Sequence, residues 1–240
     1  MSILFRHRYK IFLACLLIVI LVIPVIYEVL EEFSPSRGKL LSWAGGIVVL
    51  LAATTVVSGK RRARIIAVAF VIPSLAIEIA ATYLFPFELL ILHYALRFCF
   101  ILFIVTEMLG QLFRICNVTY DTVCASLCIY LLLGLMWENV YAIMDIAKPG
   151  SIRSVIHTTV DAAVSDITAP WHGLFRLRYF SFATLTSVGY GDIVPASTLA
   201  RMCAITESLI GQIYLLVMVS RLVGLQVSQA AQDSTNNKPS

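Results

Sequence analysis

The residues best suited to chemistry form one short run, Thr184-Leu185-Thr186-Ser187-Val188-Gly189-Tyr190-Gly191-Asp192, followed by Ile193, Val194 and Pro195. A cation crosses a bilayer quickly where neutral, closely stacked oxygens replace its hydration shell, and backbone carbonyls serve if successive ones face the same way. In a regular strand they alternate sides, so the backbone must alternate handedness instead. Gly189 and Gly191 stand two apart, which permits that alternation without a Cβ penalty. Ser187 adds a hydroxyl at the inner end, while Val188 and Tyr190 turn their side chains into supporting protein. Thr186, Gly191, Asp192 and Tyr179 are the supporting residues, and Asp192 at the outer end raises the local cation concentration.

A short helix over about 173–186 is expected to aim its negative C-terminal end at the ion path. The apolar run inside it, Leu174 to Leu185, is too short to span a bilayer, so it must enter and return. Around it lie apolar runs at about 11–30, 40–58, 65–85, 87–109, 122–144 and 197–225, six candidate spanning helices. The chain is 240 residues long, 60% hydrophobic and 13% charged, against about 25% charged in ordinary soluble domains. That composition excludes a soluble globular protein and leaves no room for a large cytosolic enzyme or ligand-binding domain. The 18 Lys plus Arg against 14 Asp plus Glu, without aromatic interleaving, exclude a nucleic-acid groove.

The cations read as topology signals. Arg6, Arg8, Lys10, Lys60, Arg61, Arg62, Arg64, Arg114 and Arg221 mark cytoplasmic ends, which puts both termini in the cytoplasm. Lys148, Arg153, Arg176 and Arg178 are assigned with Asp145, Asp161 and Asp166 to the long outer loop. The first apolar run exceeds a signal-peptide core and no small-residue cleavage pattern follows it, so it reads as a helix. Six cysteines lie in apolar runs or at a cytoplasmic edge, where a disulfide framework is not expected, and Cys124 and Cys128 lack further ligands at metal spacing. Asn117-Val118-Thr119 falls in a cytoplasmic loop and is a chance glycosylation match. The residues from Gln226 to Ser240 are polar and expected to be disordered.

The run Ser187 to Asp192 resembles the Thr-Val-Gly-Tyr-Gly-Asp signature of the potassium channel superfamily with one substitution. The resemblance extends from about Val118 to Leu225. It covers the helix pattern Tyr179-Phe180-Ser181-Phe182-Ala183-Thr184, Pro195, and Gly211, at the spacing where the family carries its gating-hinge glycine. It implies an all-α membrane protein of six transmembrane helices, with a re-entrant pore helix and selectivity filter between helices five and six and a homotetrameric pore. Four chains would surround one potassium path, with Ser187, Val188, Gly189 and Tyr190 supplying the ion-coordinating oxygens, and with no cofactor, no catalytic residue and no nucleic-acid partner; the small size of the chain points to the lipid of a prokaryotic inner membrane. The domains would be a four-helix sensor-like unit over 1–117, a pore domain over 118–226 and a short cytoplasmic tail over 227–240. Three departures from the family pattern stand out. Ser187 replaces Thr and loses a methyl group, which loosens the innermost site. Tyr179 and Phe180 stand where several relatives have two Trp, though Tyr179 remains placed to hydrogen-bond Asp192. Ala183 stands where some relatives have an acid.

A voltage sensor needs several Arg at three-residue spacing, since each crossing charge contributes about 2.3 kcal/mol per 100 mV. The fourth helix has Arg97 alone, flanked at that spacing by Tyr94 and Phe100, so little voltage dependence is expected. Glu78 and Arg97 read as an ion pair between the third and fourth helices, while Glu107 stays unassigned. Glu207, one turn before Gly211, either packs behind the filter or belongs to a buried polar network. Gly211 is either a hinge or a close-packing residue. Leu215, Val219 and Leu222 recur at helical spacing below it, as a constriction that gates by dewetting would. His157 and His172 read as inert loop histidines, with proton sensing the other use. Two other functions fit the same residues: a weakly selective cation channel, and a non-conducting subunit of a larger membrane complex.

Overall fold

The computed structural model describes residues 8–33, 65, 69–73, 76–77, 87–114, 119–155 and 170–236. Its elements are α1 (Arg8–Leu17), a π-helical turn (Ile18–Val22), α2 (Ile23–Phe33), α3 (Phe87–Leu112), α4 (Tyr120–Ala147), β1 (Ile152–Ser154), α5 (Pro170–Leu185), β2 (Ile193–Pro195) and α6 (Thr198–Asn236). Four helices among the described residues are long and apolar enough to cross a membrane: Arg8–Tyr27, Leu89–Leu112, Tyr120–Ala147 and Thr198–Ala230. The expected second span, 40–58, lies outside the described residues, and so do most of the third, Glu78, His157 and the side chain of His172.

Sequence explains the local breaks. Pro24 has no N–H to give the Ile20 carbonyl and its ring crowds that oxygen, so the turn before it widens into the π-helical form. Thr119 caps α4, its hydroxyl accepting from Thr122 N–H while the Thr122 hydroxyl accepts from Thr119 N–H. Ser197 starts α6, its hydroxyl accepting from Ala200 N–H at 3.2 Å.

α4 is the central helix, packed by α1, α3, α5 and α6. Its apolar window is 67% buried, against 17% for α6. Buried Phe12 and Leu16 of α1, Ile104 and Met108 of α3, and Ile129 and Leu132 of α4 belong to one core. Beyond α4 the chain forms β1, which pairs antiparallel with β2 in the register Ile152 to Pro195, Arg153 to Val194 and Ser154 to Ile193.

One expectation is corrected here. The helix α6 continues to Asn236, so most of the segment from Gln226 is helical rather than disordered. No Gly or Pro interrupts residues 226–236, and Gln and Ala there are good helix formers, so the helix propagates past the apolar stretch.

Candidate functional site

The run from Thr186 to Asp192 leaves the C-terminal end of α5, and its amides turn back onto that helix. Thr186 N–H donates to the Phe182 carbonyl at 3.0 Å, Ser187 to Thr184 at 2.9 Å, and Val188 and Gly189 both to Ala183, at 2.9 and 3.1 Å. No described residue donates a hydrogen bond to the carbonyls of Ser187, Val188, Gly189 or Tyr190. Positive φ occurs at every second residue: Ser187 (59°), Gly189 (54°) and Gly191 (81°). This is the alternation of handedness that brings successive carbonyls to one side. The sequence located it at the two glycines and missed Ser187, a residue with a Cβ, for which the left-handed conformation costs about 1 kcal/mol.

Ser187 is held there from α6. Gln212 Nε2 donates to Ser187 Oγ at 2.9 Å, and the Ser187 and Ser208 hydroxyls share a bond at 3.0 Å. The outer end is held by the sheet, where Val155 N–H donates to the Asp192 carbonyl at 2.8 Å and Ala196 N–H to the Ser151 carbonyl at 2.8 Å. The Tyr179 phenol lies near the Asp192 carboxylate. The Tyr179 and Tyr190 rings stack at 6.2 Å and 11°. That stack is the support its own chain gives Tyr190, whose side chain otherwise stands open at 73% exposure, with Val188 at 53%.

Behind α5 lie two polar clusters. In the first, Glu207 of α6 is wholly buried. Its carboxylate accepts from the Tyr141 hydroxyl at 2.6 Å, and the Ser181 hydroxyl is shared between Glu207 Oε1 at 2.5 Å and the Gly134 carbonyl at 2.8 Å. Glu207 thus organises a buried polar network that ties α4, α5 and α6 together. Tyr141→Phe leaves Glu207 Oε2 without that donor in a buried site and is expected to cost about 2 kcal/mol, read as a lower Tm of the purified protein.

In the second, Arg178 of α5 makes a bidentate pair with Glu138 of α4, Nε to Oε2 at 2.7 Å and Nη2 to Oε1 at 3.2 Å, while its Nη1 donates to the Val19 carbonyl at 3.0 Å. Arg178 is therefore not an outer-loop charge. It is buried, and so is Glu138. Arg176, two residues earlier, does brace the rim: it pairs with Asp145 at 2.9 Å and donates to the Ile152 carbonyl at 3.2 Å. Glu138 is an acid in the middle of an apolar run, the signal that singled out Glu78 and Arg97, and the same rule identifies it.

Gly211 faces Leu185, at the C-terminal end of α5. A Cβ there would lie 2.5 Å from the Leu185 carbonyl oxygen and 2.9 Å from Leu185 Cδ1. The Tyr130 hydroxyl donates to that same carbonyl at 3.2 Å, and the Tyr130 and Tyr214 rings stack at 6.0 Å. Gly134 meets Phe182 as closely, a Cβ falling 2.6 Å from the ring. Leu215 and Val219 are exposed on α6 and Leu222 is half-buried. No described cysteine is paired in a disulfide, and no group of His, Cys, Asp or Glu among the described residues could hold a metal ion.

No curated protein and no solved structure matches the chain. A family model does. It is described as an ion channel and matches residues 154–226, from the end of β1 through α5, the filter run and most of α6. That match agrees with the resemblance of Ser187 to Asp192 to the potassium channel signature, and residues 154–226 are similar to an ion channel domain.

Proposed function

We propose that the chain is a potassium-selective channel that conducts passively as a homotetramer in the cell membrane, with both termini cytoplasmic. The observation that carries this is the filter backbone: four successive carbonyls without a described donor, at Ser187, Val188, Gly189 and Tyr190, on a chain whose φ alternates in sign at 187, 189 and 191. α5 is then the pore helix, and its C-terminal partial charge favours a cation at the filter's inner end. A carbonyl cage needs about four such strands around one axis, and one chain supplies one. The exposed apolar surface of α6, with Leu209, Ile213, Leu216 and Val223, and the open sides of Val188 and Tyr190 are the surfaces that neighbouring copies and lipid would cover. Leu215, Val219 and Leu222 then line the inner path as its hydrophobic constriction. The activity involves no covalent step.

Liposomes containing only the purified chain should pass potassium at least about tenfold faster than sodium, with conductance nearly flat in voltage, since the described part of the sensor-like unit offers only Arg97 in its fourth helix. Equal potassium and sodium flux would make the protein a weakly selective cation channel. Absence of flux would make it a subunit of a larger complex, and steep voltage-dependent opening would refute the expected voltage independence.

A further inference from the structure

We infer that Gln212, with Ser208, is a positioning residue for the filter: it holds Ser187 in its left-handed conformation and orients its hydroxyl toward the ion path. The inference rests on the proposed function and deepens it.

Three observations converge. Ser187 is the one non-glycine residue among those described with positive φ, so its backbone needs a restraint that Gly189 and Gly191 do without. Its hydroxyl is bonded by two side chains of α6, one helical turn apart, Ser208 and Gln212. All three residues retain solvent exposure within the single chain, so these bonds are not incidental to a packed core. A serine hydroxyl has one proton and two lone pairs. The Gln212 amide occupies one lone pair. If the Ser187 proton goes to Ser208, the other lone pair remains for a cation. Without Gln212 the hydroxyl is free to rotate and the left-handed backbone loses its tether. The family's threonine carries a methyl group that Ser187 lacks, and in this chain the amide of Gln212 supplies the restraint that the missing methyl does not.

The test is a double-mutant cycle on the full chain in liposomes, read as the potassium-to-sodium permeability ratio. Gln212→Met keeps the length of the side chain and removes its donor; Ser187→Ala removes the acceptor. Gln212→Met should lower the ratio about tenfold, one hydrogen bond in each of several subunits being lost. In the Ser187→Ala background it should lower it no further. Ser208→Ala, which leaves the Gln212 bond in place, should lower the ratio less than Gln212→Met and serves as the second probe if Gln212→Met does not assemble. Losses that multiply in the double variant, or an unchanged ratio in Gln212→Met and Ser208→Ala, overturn the anchoring while leaving the proposed function intact. A wild-type chain that does not discriminate potassium from sodium overturns the proposed function, and this inference with it, before any variant is made.

Discussion

Gly211→Ala is expected to cost about 3 kcal/mol of stability per chain and to impair selectivity along with flux. Two effects oppose each other. Alanine improves helix propensity over glycine by about 1 kcal/mol, which alone would stiffen α6 and stabilise it. Against that, the new Cβ would stand 2.5 Å from the Leu185 carbonyl oxygen and 2.9 Å from Leu185 Cδ1. A backbone oxygen cannot rotate away as the end of a side chain can, so α6 or the end of α5 must move. The Tyr130 hydroxyl is bonded to the same oxygen, and Leu185 lies two residues before Ser187, so the displacement enters the filter directly. The overpacking term is the larger, and it falls on conduction chemistry rather than on gating alone.

The contrast with a hinge is measurable. A residue that serves only by bending would, on replacement by alanine, change open probability while leaving selectivity and Tm in place. Leu185→Ala removes the Cδ1 contact but not the carbonyl, so in combination with Gly211→Ala it should restore only part of the loss. Gly224 supplies the control, because a Cβ there meets nothing within 4 Å in the same helix. Gly224→Ala should leave stability unchanged or raise it by up to about 1 kcal/mol. If Gly211→Ala is as stable and as selective as Gly224→Ala, the close packing is not what the glycine serves.

The parts of this site that were legible in the sequence are those fixed by local backbone chemistry. Gly189 and Gly191 announce alternating handedness because only glycine adopts it freely, and a 12-residue apolar run bounded by polar segments announces a helix that cannot span. Ser187 was legible as a hydroxyl and not as a left-handed residue, since its conformation is imposed by Gln212 and Ser208 some 20 to 25 positions later. Arg178 was misplaced in the outer loop because charge counting treats a cation near a Gly- and Pro-bearing stretch as solvated. Its partners lie 40 and 159 positions away, and such pairings exist only once α1, α4 and α5 are packed together. The helical extension of α6 to Asn236 is hidden for a different reason: the polarity of the segment suggests disorder, while the helix propensity of its Gln and Ala residues carries the helix on.

Those distant partners of Arg178 set up the second large effect. Arg178→Met alone, or Glu138→Leu alone, is expected to destabilise the protein by about 3 to 5 kcal/mol, because each leaves the opposite charge buried without its partner. The two together should recover most of that loss, since a desolvated ion pair contributes little net stability relative to apolar groups of similar volume. The residual deficit should be about 1 kcal/mol, the bond from Arg178 Nη1 to the Val19 carbonyl. Arg178→Lys retains the charge but not the fork that reaches both Glu138 oxygens and Val19 at once, and should fall between, at about 2 kcal/mol. Because Val19 lies in the π-helical turn ahead of Pro24, the same variants bear on how the first helix docks. The Tyr27 and Phe175 rings, 5.0 Å apart between centroids, add a contact between α2 and α5. Hydrogen exchange over residues 17–23 should accelerate in Arg178→Met and in the double variant alike, even though the double variant regains its Tm. A double variant as unstable as either single one would mean that Arg178 and Glu138 act separately, and exchange unchanged in both would mean that the first helix is held without the Arg178 bond.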